Sequence, residues 1–404
     1  MAYYYETLLP FSTVYKWLAH TSNPNKPLPS FTMREFAFEY RSGAYQRYNS
    51  FKNLSDFKAS VIKANPTRFE IGAIYSINPN KRKSVPKSAM KPLEKELVFD
   101  IDLTDYDDIR TCCSGTKICQ KCWKFITIAT KIMDTALRDD FGFKSITWVF
   151  SGRRGAHCWV SDKKARFLSG SKRRAIIEYL DVLKIKSSGK RLILYRPLHP
   201  HVERSLKILT EQFEDVILND QDPWRDNDKA NNALNKLIPD KALNDALRNL
   251  WNSKPQRSSF EKWNDINEVY KKGVTKKLRP NALIEAKQAI ILQTLYPRLD
   301  VEVSRQVIHL LKSPFCIHPG TGNICVPFDP KFGFDPTNSP NLKRLQDEME
   351  KYHGSNVAEL ISAGGEEWDK TSLKPYVEMF DKMVDGLIAT EKAEDASLKR
   401  KREE

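Results

Sequence analysis

The stretch Glu96-Leu-Val-Phe-Asp-Ile-Asp102 sets two carboxylates two residues apart inside an apolar run. In a strand successive side chains alternate faces. Asp100 and Asp102 therefore project together, roughly 6.5 to 7 Å apart along the chain, while Phe99 and Ile101 enter the core. Two like charges so placed repel unless something positive lies between them, and hard divalent cations with oxygen ligands meet that need. Two such ions about 3.5 to 4 Å apart serve phosphoryl transfer by activating an attacking oxygen and steadying a leaving one. Taken alone, an Asp-x-Asp reads first as a solvated strand end, and Asp105, Asp107 and Asp108 mark the region as acid-rich. Its context carries more.

That context is Trp148-Val-Phe-Ser-Gly-Arg-Arg-Gly-Ala-His-Cys-Trp-Val160, two apolar runs flanking a turn bracketed by Gly152 and Gly155. The turn carries Ser151, Arg153 and Arg154, with His157 on the outgoing run. Glycines let the backbone approach a ligand closely, and guanidinium groups grip phosphate oxygens in pairs, so the hairpin has the chemistry of a triphosphate cradle. A basic hairpin tip in solvent is the alternative. A nucleoside triphosphate with two metals needs acidic ligands on one side and cationic donors on the other, so the two motifs support each other. Further along, Asp300 is expected to complete the metal site from a separate strand. Lys312 and His318 would add charge and hydrogen bonds to the phosphates. His309 lies on an apolar stripe, where a histidine is more often part of the core.

Cys112, Cys113, Cys119 and Cys122 offer four thiolates within eleven residues, which suits tetrahedral Zn²⁺ in a structural site. An iron–sulfur cluster and four unmetallated thiols are the other readings. Cys158, Cys316 and Cys325 alternate with apolar residues and are expected in the core.

The elements that must hold these groups are legible in outline. Leu97, Phe99, Ile101 and Leu103 read as one strand and residues 146–150 as another. Phe125, Ile128, Ala129, Ile132, Met133, Ala136 and Leu137 make a helical stripe closed near Gly142. The fold class is α/β, a mixed α+β core. Residues 1–189 would form its first part with the cysteine motif at 112–122, and 190–295, after the polar break at 186–190, a helical insertion. Residues 296–340 would return to the core, and 341–404 would be helices ending in a charged tail expected to be disordered. With 404 residues, 40% of them hydrophobic, the chain can bury a sizeable core. Its 66 Lys and Arg against 51 Asp and Glu give a formal charge of +15, which points to a polyanionic partner. No apolar run reaches the ~20 residues of a membrane span, and the N-terminus lacks the build of a signal peptide, so no membrane is expected. Lys399-Arg400-Lys401-Arg402 fits a nuclear localisation signal or a solvated tail.

Together these motifs resemble the small catalytic subunit of the archaeal and eukaryotic DNA primases. Phe-Asp-Ile-Asp, Ser-Gly-Arg-Arg-Gly-x-His and Leu-Leu-Lys-Ser-Pro-Phe point to the eukaryotic branch over residues 31–328. The resemblance implies a DNA-directed RNA polymerase, a nucleotidyltransferase that makes RNA primers for DNA replication with two Mg²⁺ or Mn²⁺ ions. It implies that Asp100, Asp102 and Asp300 bind those ions. Ser151, Gly152, Arg153, Arg154, Gly155 and His157, with His309, Leu310, Leu311, Lys312 and His318, would line the nucleotide site, and the four clustered cysteines would bind zinc. Arg34-Glu35-Phe36 would put Glu35 near the initiating nucleotide, with Tyr45, Arg47, Arg68 and Glu70 as ribose or initiation contacts; read from sequence alone, Glu35 and Arg47 also suit a solvated helix face. The implied partners are a large primase subunit, the DNA polymerase alpha complex, single-stranded DNA template, RNA primer and ribonucleoside triphosphates, in the nucleus. Two other readings stay open: a non-catalytic, zinc-stabilised nucleic-acid-binding protein, and a single-chain primase-polymerase using deoxynucleotides.

Overall fold

The computed structural model describes residues 1–21, 23, 29–183, 192–353 and 366–403. The polar break at 186–190, and with it the expected boundary at 189/190, lies outside the described residues. Contacts group the chain into two compact units: Met1–Asp100 with Gly142–Ile177 and Asp300–Glu404, and Ile101–Phe141 with Glu178–Leu299.

The first unit is built on two antiparallel sheets. The strands are β1 (Arg34–Glu39), β2 (Tyr45–Asn49), β3 (Arg68–Tyr75), β4 (Pro92–Glu94), β5 (Leu97–Asp102), β6 (Ile146–Phe150), β7 (Gly155–Val160), β8 (Leu311–Lys312) and β9 (Pro327–Phe328). One sheet has the order β2-β1-β3-β4 with β8 paired to β3, and the other the order β5-β7-β6-β9. Two residues, Lys95 and Glu96, carry the chain from β4 to β5, and both are fully buried. Phe31, Phe36, Phe51, Phe57 and Phe69 interlock beneath the first sheet with ring centroids 4.9–6.4 Å apart, a spacing at which tilted aromatic pairs add to plain burial. On the second sheet Trp159 packs edge-on to Trp17 at 5.2 Å, and Trp17 to Phe380 at 5.4 Å. Phe380 belongs to the helix Lys374–Glu403, whose Val377, Phe380, Val384, Leu387 and Ile388 are buried. The charged run that reads as a disordered tail continues that helix.

The second unit is helical: Gln120–Asp139, Pro200–Phe213, Asn227–Leu237, Lys241–Ser253, Ser259–Lys271 and Pro280–Leu295. The helix Gln120–Asp139 buries Phe125, Ile128, Ala129, Ile132, Met133, Ala136 and Leu137, the stripe its periodicity marks. It ends before Gly142, whose φ of +64° suits a residue without a side chain. Asp240 and Ser258 cap the helices that follow them by accepting from the Leu243 and Glu261 N–H groups. Among the described residues no helix is long and apolar enough to cross a membrane.

Candidate active site

On β5 the burial pattern alternates at its end: Phe99 and Ile101 are buried while Asp100 and Asp102 are partly exposed. The carboxylates therefore leave one face of the strand, as the spacing requires. Asp102 Oδ1 accepts from the N–H and the hydroxyl of Thr104, both at 2.8 Å. Asp300 is not on a strand. It caps the short helix Val301–Arg305, its Oδ1 accepting from Glu302 N–H at 3.0 Å, and its own N–H donates to Asp100 O at 3.1 Å. The backbone bond brings Asp300 beside Asp100, whereas the strand expected there is replaced by the start of a short helix, which the Asp300 side chain caps.

Across from Asp100, His157 on β7 sets its Nε2 3.6 Å from Asp100 Oδ1, and its Nδ1 is buried with no hydrogen-bond partner among the described residues. The hairpin tip between β6 and β7 is closed by Ser151 N–H donating to Gly155 O at 2.9 Å and Gly155 N–H donating to Ser151 Oγ at 3.1 Å. Gly152 has φ +84°, and a Cβ there would stand 2.6 Å from His318 Cβ, so only glycine fits. The Gly152 carbonyl accepts from Thr321 Oγ1 at 2.7 Å and Asn323 Nδ2 at 3.1 Å. Lys312 Nζ donates to Ser151 O at 2.9 Å. Thus Lys312 on β8 and the loop that follows it hold the arginine-bearing tip. Burial, reinforced by the charges of Lys312 and His318, draws His157 down to about 3. Burial again, then Lys312, Arg153 and Arg68, draws His318 to about 4. For both imidazoles burial is the larger cause and the neighbouring cations the smaller, and both disfavour the protonated form.

The first sheet supplies the adjoining wall. Glu70 on β3 pairs with Lys312 on β8 and with Ala37 on β1. Period-two alternation then puts Arg68, Glu70, Gly72, Lys312 and Glu35 on one face. Glu35 is fully buried and accepts from Arg47 Nε (2.8 Å) and Nη2 (3.1 Å), Tyr48 N–H (3.2 Å) and Tyr75 O–H (3.0 Å). A helix face in solvent is therefore not where Glu35 and Arg47 lie; they sit on neighbouring strands as a bonded pair. Tyr45 donates to Glu70, and Arg68 bridges Glu39 and Glu70. His309 is half-buried rather than a core residue, with its carbonyl taken by Lys95 Nζ. The Leu310 side chain fills the space beside Gly72, where an added Cβ would meet it at 2.8 Å, and Leu311 is buried in β8.

In the helical unit the sulfur atoms of Cys112, Cys113, Cys119 and Cys122 lie within 4.8 Å of one another. A tetrahedral ion with ~2.3 Å metal–sulfur bonds sets its sulfurs about 3.8 Å apart, a spacing that falls within that limit. The thiols also interact strongly: burial pushes Cys112, Cys113 and Cys122 up to about 11, while Cys119, although burial opposes it, is drawn to about 7 by hydrogen bonds that include its neighbours' thiols. The cluster fits a metal ion that would stabilise all four thiolates together. The other three cysteines, Cys158, Cys316 and Cys325, are buried.

Sequence reasoning singled out neither Thr321 and Asn323, which anchor Gly152, nor Lys95, Tyr48 and Tyr75. A Thr-Gly-Asn turn carries no chemical signature, and a lysine beside a glutamate reads as surface.

Residues 99–330 match the sequence model of a family described as DNA primase small subunit. The chain is 49% identical to the DNA primase small subunit of Saccharomyces cerevisiae, over 100% of this chain and 94% of that one. It is 49% identical to that of Schizosaccharomyces pombe, over 87% and 78% of the two chains, and 36% identical to that of Drosophila melanogaster, over 96% and 91%.

Proposed function

Since the chain belongs to the DNA primase small-subunit family, we propose that it joins ribonucleotides on a single-stranded DNA template, lengthening an RNA primer. The observation that carries this reading is the placing of buried His157, on the strand that follows the arginine-bearing turn, with its Nε2 3.6 Å from Asp100 Oδ1, and the tying of Asp300 to the Asp100 backbone. In this reading Asp100, Asp102 and Asp300 hold divalent Mg²⁺ or Mn²⁺. When bound, a pair of such ions lowers the pKa of an attacking 3′-hydroxyl and neutralises the departing pyrophosphate.

The chain's own residues do the rest. Arg153 and Arg154 grip the triphosphate, and Ser151 and the peptide groups between Gly152 and Gly155 bring the backbone close to it. Lys312 adds charge from β8, and His318 adds a hydrogen-bonding imidazole from the loop that follows it. His157 offers a donor to a phosphate oxygen, and a bound polyanion raises its affinity for a proton. On the other wall Glu35 fixes Arg47, and Arg68, Glu70 and Tyr45 stand where a ribose would lie, with His309 and Leu310 beside them; Leu311 alternates with Lys312 on β8 and supports the wall from its other face. Holding the triphosphate in line accounts for most of the rate enhancement expected of such a transfer.

The test is incorporation by the purified chain given single-stranded DNA, a short RNA primer and ribonucleotides with Mg²⁺ or Mn²⁺. Template-dependent extension is expected, with ribonucleotides used in preference to deoxynucleotides. A chain that binds DNA yet never extends a supplied primer with either metal overturns the reading in favour of a binding protein. A preference for deoxynucleotides overturns the primase reading in favour of a primase-polymerase. The name small subunit implies a larger one, and the reading takes a large primase subunit and the DNA polymerase alpha complex as partners in the nucleus. Initiation without a primer is then expected only when the large subunit is added.

The cysteine cluster is read as a structural zinc site. Metal analysis of the purified chain is expected to return one zinc per chain, and removing it with a chelator to lower the melting temperature, because metal affinity becomes folding energy where the ligands are assembled only in the folded state. Iron in place of zinc, or a chelator-treated chain that melts unchanged, sinks that assignment.

A further inference from the structure

Residues 76–91, which join β3 to β4, carry the cations Lys81, Arg82, Lys83, Lys87 and Lys91 and no acidic side chain. The four lysines are exposed, and none makes an ion pair among the described residues. A run of like charge is ordinarily a solvated face, and Lys271, Lys272, Lys276, Lys277 and Arg279 in the helical unit make another such exposed run. The loop at 76–91 differs in how it is built and in what it is built upon.

Its base is closed by Ser76 N–H donating to Lys91 O (2.9 Å), Lys91 N–H donating to Ser76 Oγ (3.0 Å), and Ser76 Oγ donating to Ala89 O (3.0 Å). Asn78 ties it to the strands, accepting from Ser50 Oγ at 2.8 Å and donating to Thr32 O at 2.8 Å. Met90 is buried with Ala73 and Tyr75, against Tyr48 and Val307. The Arg82 guanidinium lies 5.8 Å from the centre of the Tyr48 ring, which Arg47 approaches to 5.1 Å. Tyr48 and Tyr75 are the residues that, with Arg47, hydrogen-bond Glu35. A set of unpaired cations therefore rises from the same wall that holds Glu35 and Arg47. Keeping five like charges together on an anchored loop has an electrostatic cost that a polyanion offsets.

We infer that Lys81, Arg82, Lys83, Lys87 and Lys91 form a track for the phosphodiester backbone of the nucleic acid entering the site walled by Glu35 and Arg47. The inference rests on the reading of that site as the nucleotide site. Backbone contacts of this kind give affinity without sequence preference, and their number sets the salt dependence of binding.

The test is fluorescence anisotropy of the full-length chain with two labelled probes, a single-stranded DNA and an RNA–DNA hybrid, over a series of salt concentrations. The variant replaces Lys81, Lys83, Lys87 and Lys91 by Gln; Arg82 is kept because it packs on Tyr48. At low salt the variant is expected to bind at least one probe about 10-fold or more weakly, with a log–log salt slope shallower by about 2 to 3, given a slope of roughly 0.7 per phosphate for single strands. Which probe loses affinity tells whether the template strand or the primer duplex follows the track. Replacing the same four lysines by Arg is expected to keep wild-type binding, and a Gln variant with an unchanged melting temperature rules out unfolding as the cause. Replacing Lys271, Lys272, Lys276 and Lys277 by Gln removes equal charge and is expected to change affinity less than about 2-fold. Wild-type affinity and slope in the track variant, or an equal loss in the control variant, overturn the inference. The readout involves no chemistry, so a chain that binds through the track yet incorporates nothing overturns the polymerase reading and leaves the track standing.

Discussion

Alanine at position 100 is expected to lower template-directed ribonucleotide incorporation by about 10³-fold or more while leaving the chain folded and able to bind single-stranded DNA. A loss of that size is about 4 kcal/mol of transition-state stabilisation, at 1.36 kcal/mol per tenfold, within what removing a ligand of catalytic metal is expected to cost. The fold should tolerate the change because Asp100 is partly exposed and the bond that brings Asp300 beside it uses the Asp100 backbone carbonyl, which alanine retains. Asp100→Asn, which keeps the shape and removes the charge, is expected to fall nearly as far, so the defect tracks charge rather than volume. Single-turnover extension of a supplied primer measures the chemical step, with the melting temperature and DNA affinity taken on the same preparation. A folded Asp100→Ala chain that extends at the wild-type rate removes Asp100 from the reaction.

The parts of this site that can be read from sequence are those whose chemistry and period coincide. Asp100 and Asp102 stand out because carboxylates interrupt an apolar strand at a spacing of two, and β5 runs over Leu97–Asp102 much as that alternation requires. The hairpin is legible because two apolar runs flank a four-residue turn with glycines at its bends, and β6 and β7 close on it. The four cysteines declare themselves by composition and gather in space. What escapes is of another kind. Arg34-Glu35-Phe36 and the segment around Arg47 mix charge with apolar residues in a pattern that suits a surface helix, yet they form β1 and β2 with Arg34 and Glu35 at zero exposure. Sequence marks a charge as expensive to bury but does not reveal the distant partner that lets it be buried. Asp300 escapes for a related reason: its position is set by one backbone hydrogen bond to a residue two hundred positions away. The packing of the Gly152 carbonyl against Thr321 and Asn323 is likewise a product of the fold rather than of any local pattern.

The charges hidden at the crossing between the sheets lead to the second large effect. Arg34 meets Glu96 with two hydrogen bonds of 2.8 and 2.9 Å, both side chains fully buried, and Arg34 Nη1 also donates to Gly72 O at 3.1 Å. Arg173 Nη1 donates to Glu96 O at 3.2 Å from the other side. The pair joins β1 and β3 of one sheet to the residue that opens β5 of the other, immediately before the strand that carries Asp100. Arg34→Met is expected to cost about 3 to 5 kcal/mol, the range for stranding one member of a buried pair, and that is a large part of the roughly 5 to 15 kcal/mol available to a folded domain. Arg34→Met with Glu96→Leu should recover most of the loss, because no charge is then left without a partner. The pH dependence has a definite sign. Burial alone would raise the Glu96 carboxyl, but the Arg34 charge and hydrogen bonds outweigh it and hold the group at about 2, against 4.5 in the unfolded chain. A depressed carboxyl stabilises the fold above its unfolded pKa, and that contribution, about 3 kcal/mol, is lost as pH falls from about 4.5 toward 2. Chemical denaturation of the wild type, the single variant and the double variant between pH 7 and pH 3 checks both statements. The wild type should lose stability over that range more steeply than the double variant does. Equal pH profiles, or a single variant as stable as the wild type, would mean that the crossing is held by packing and not by the ion pair.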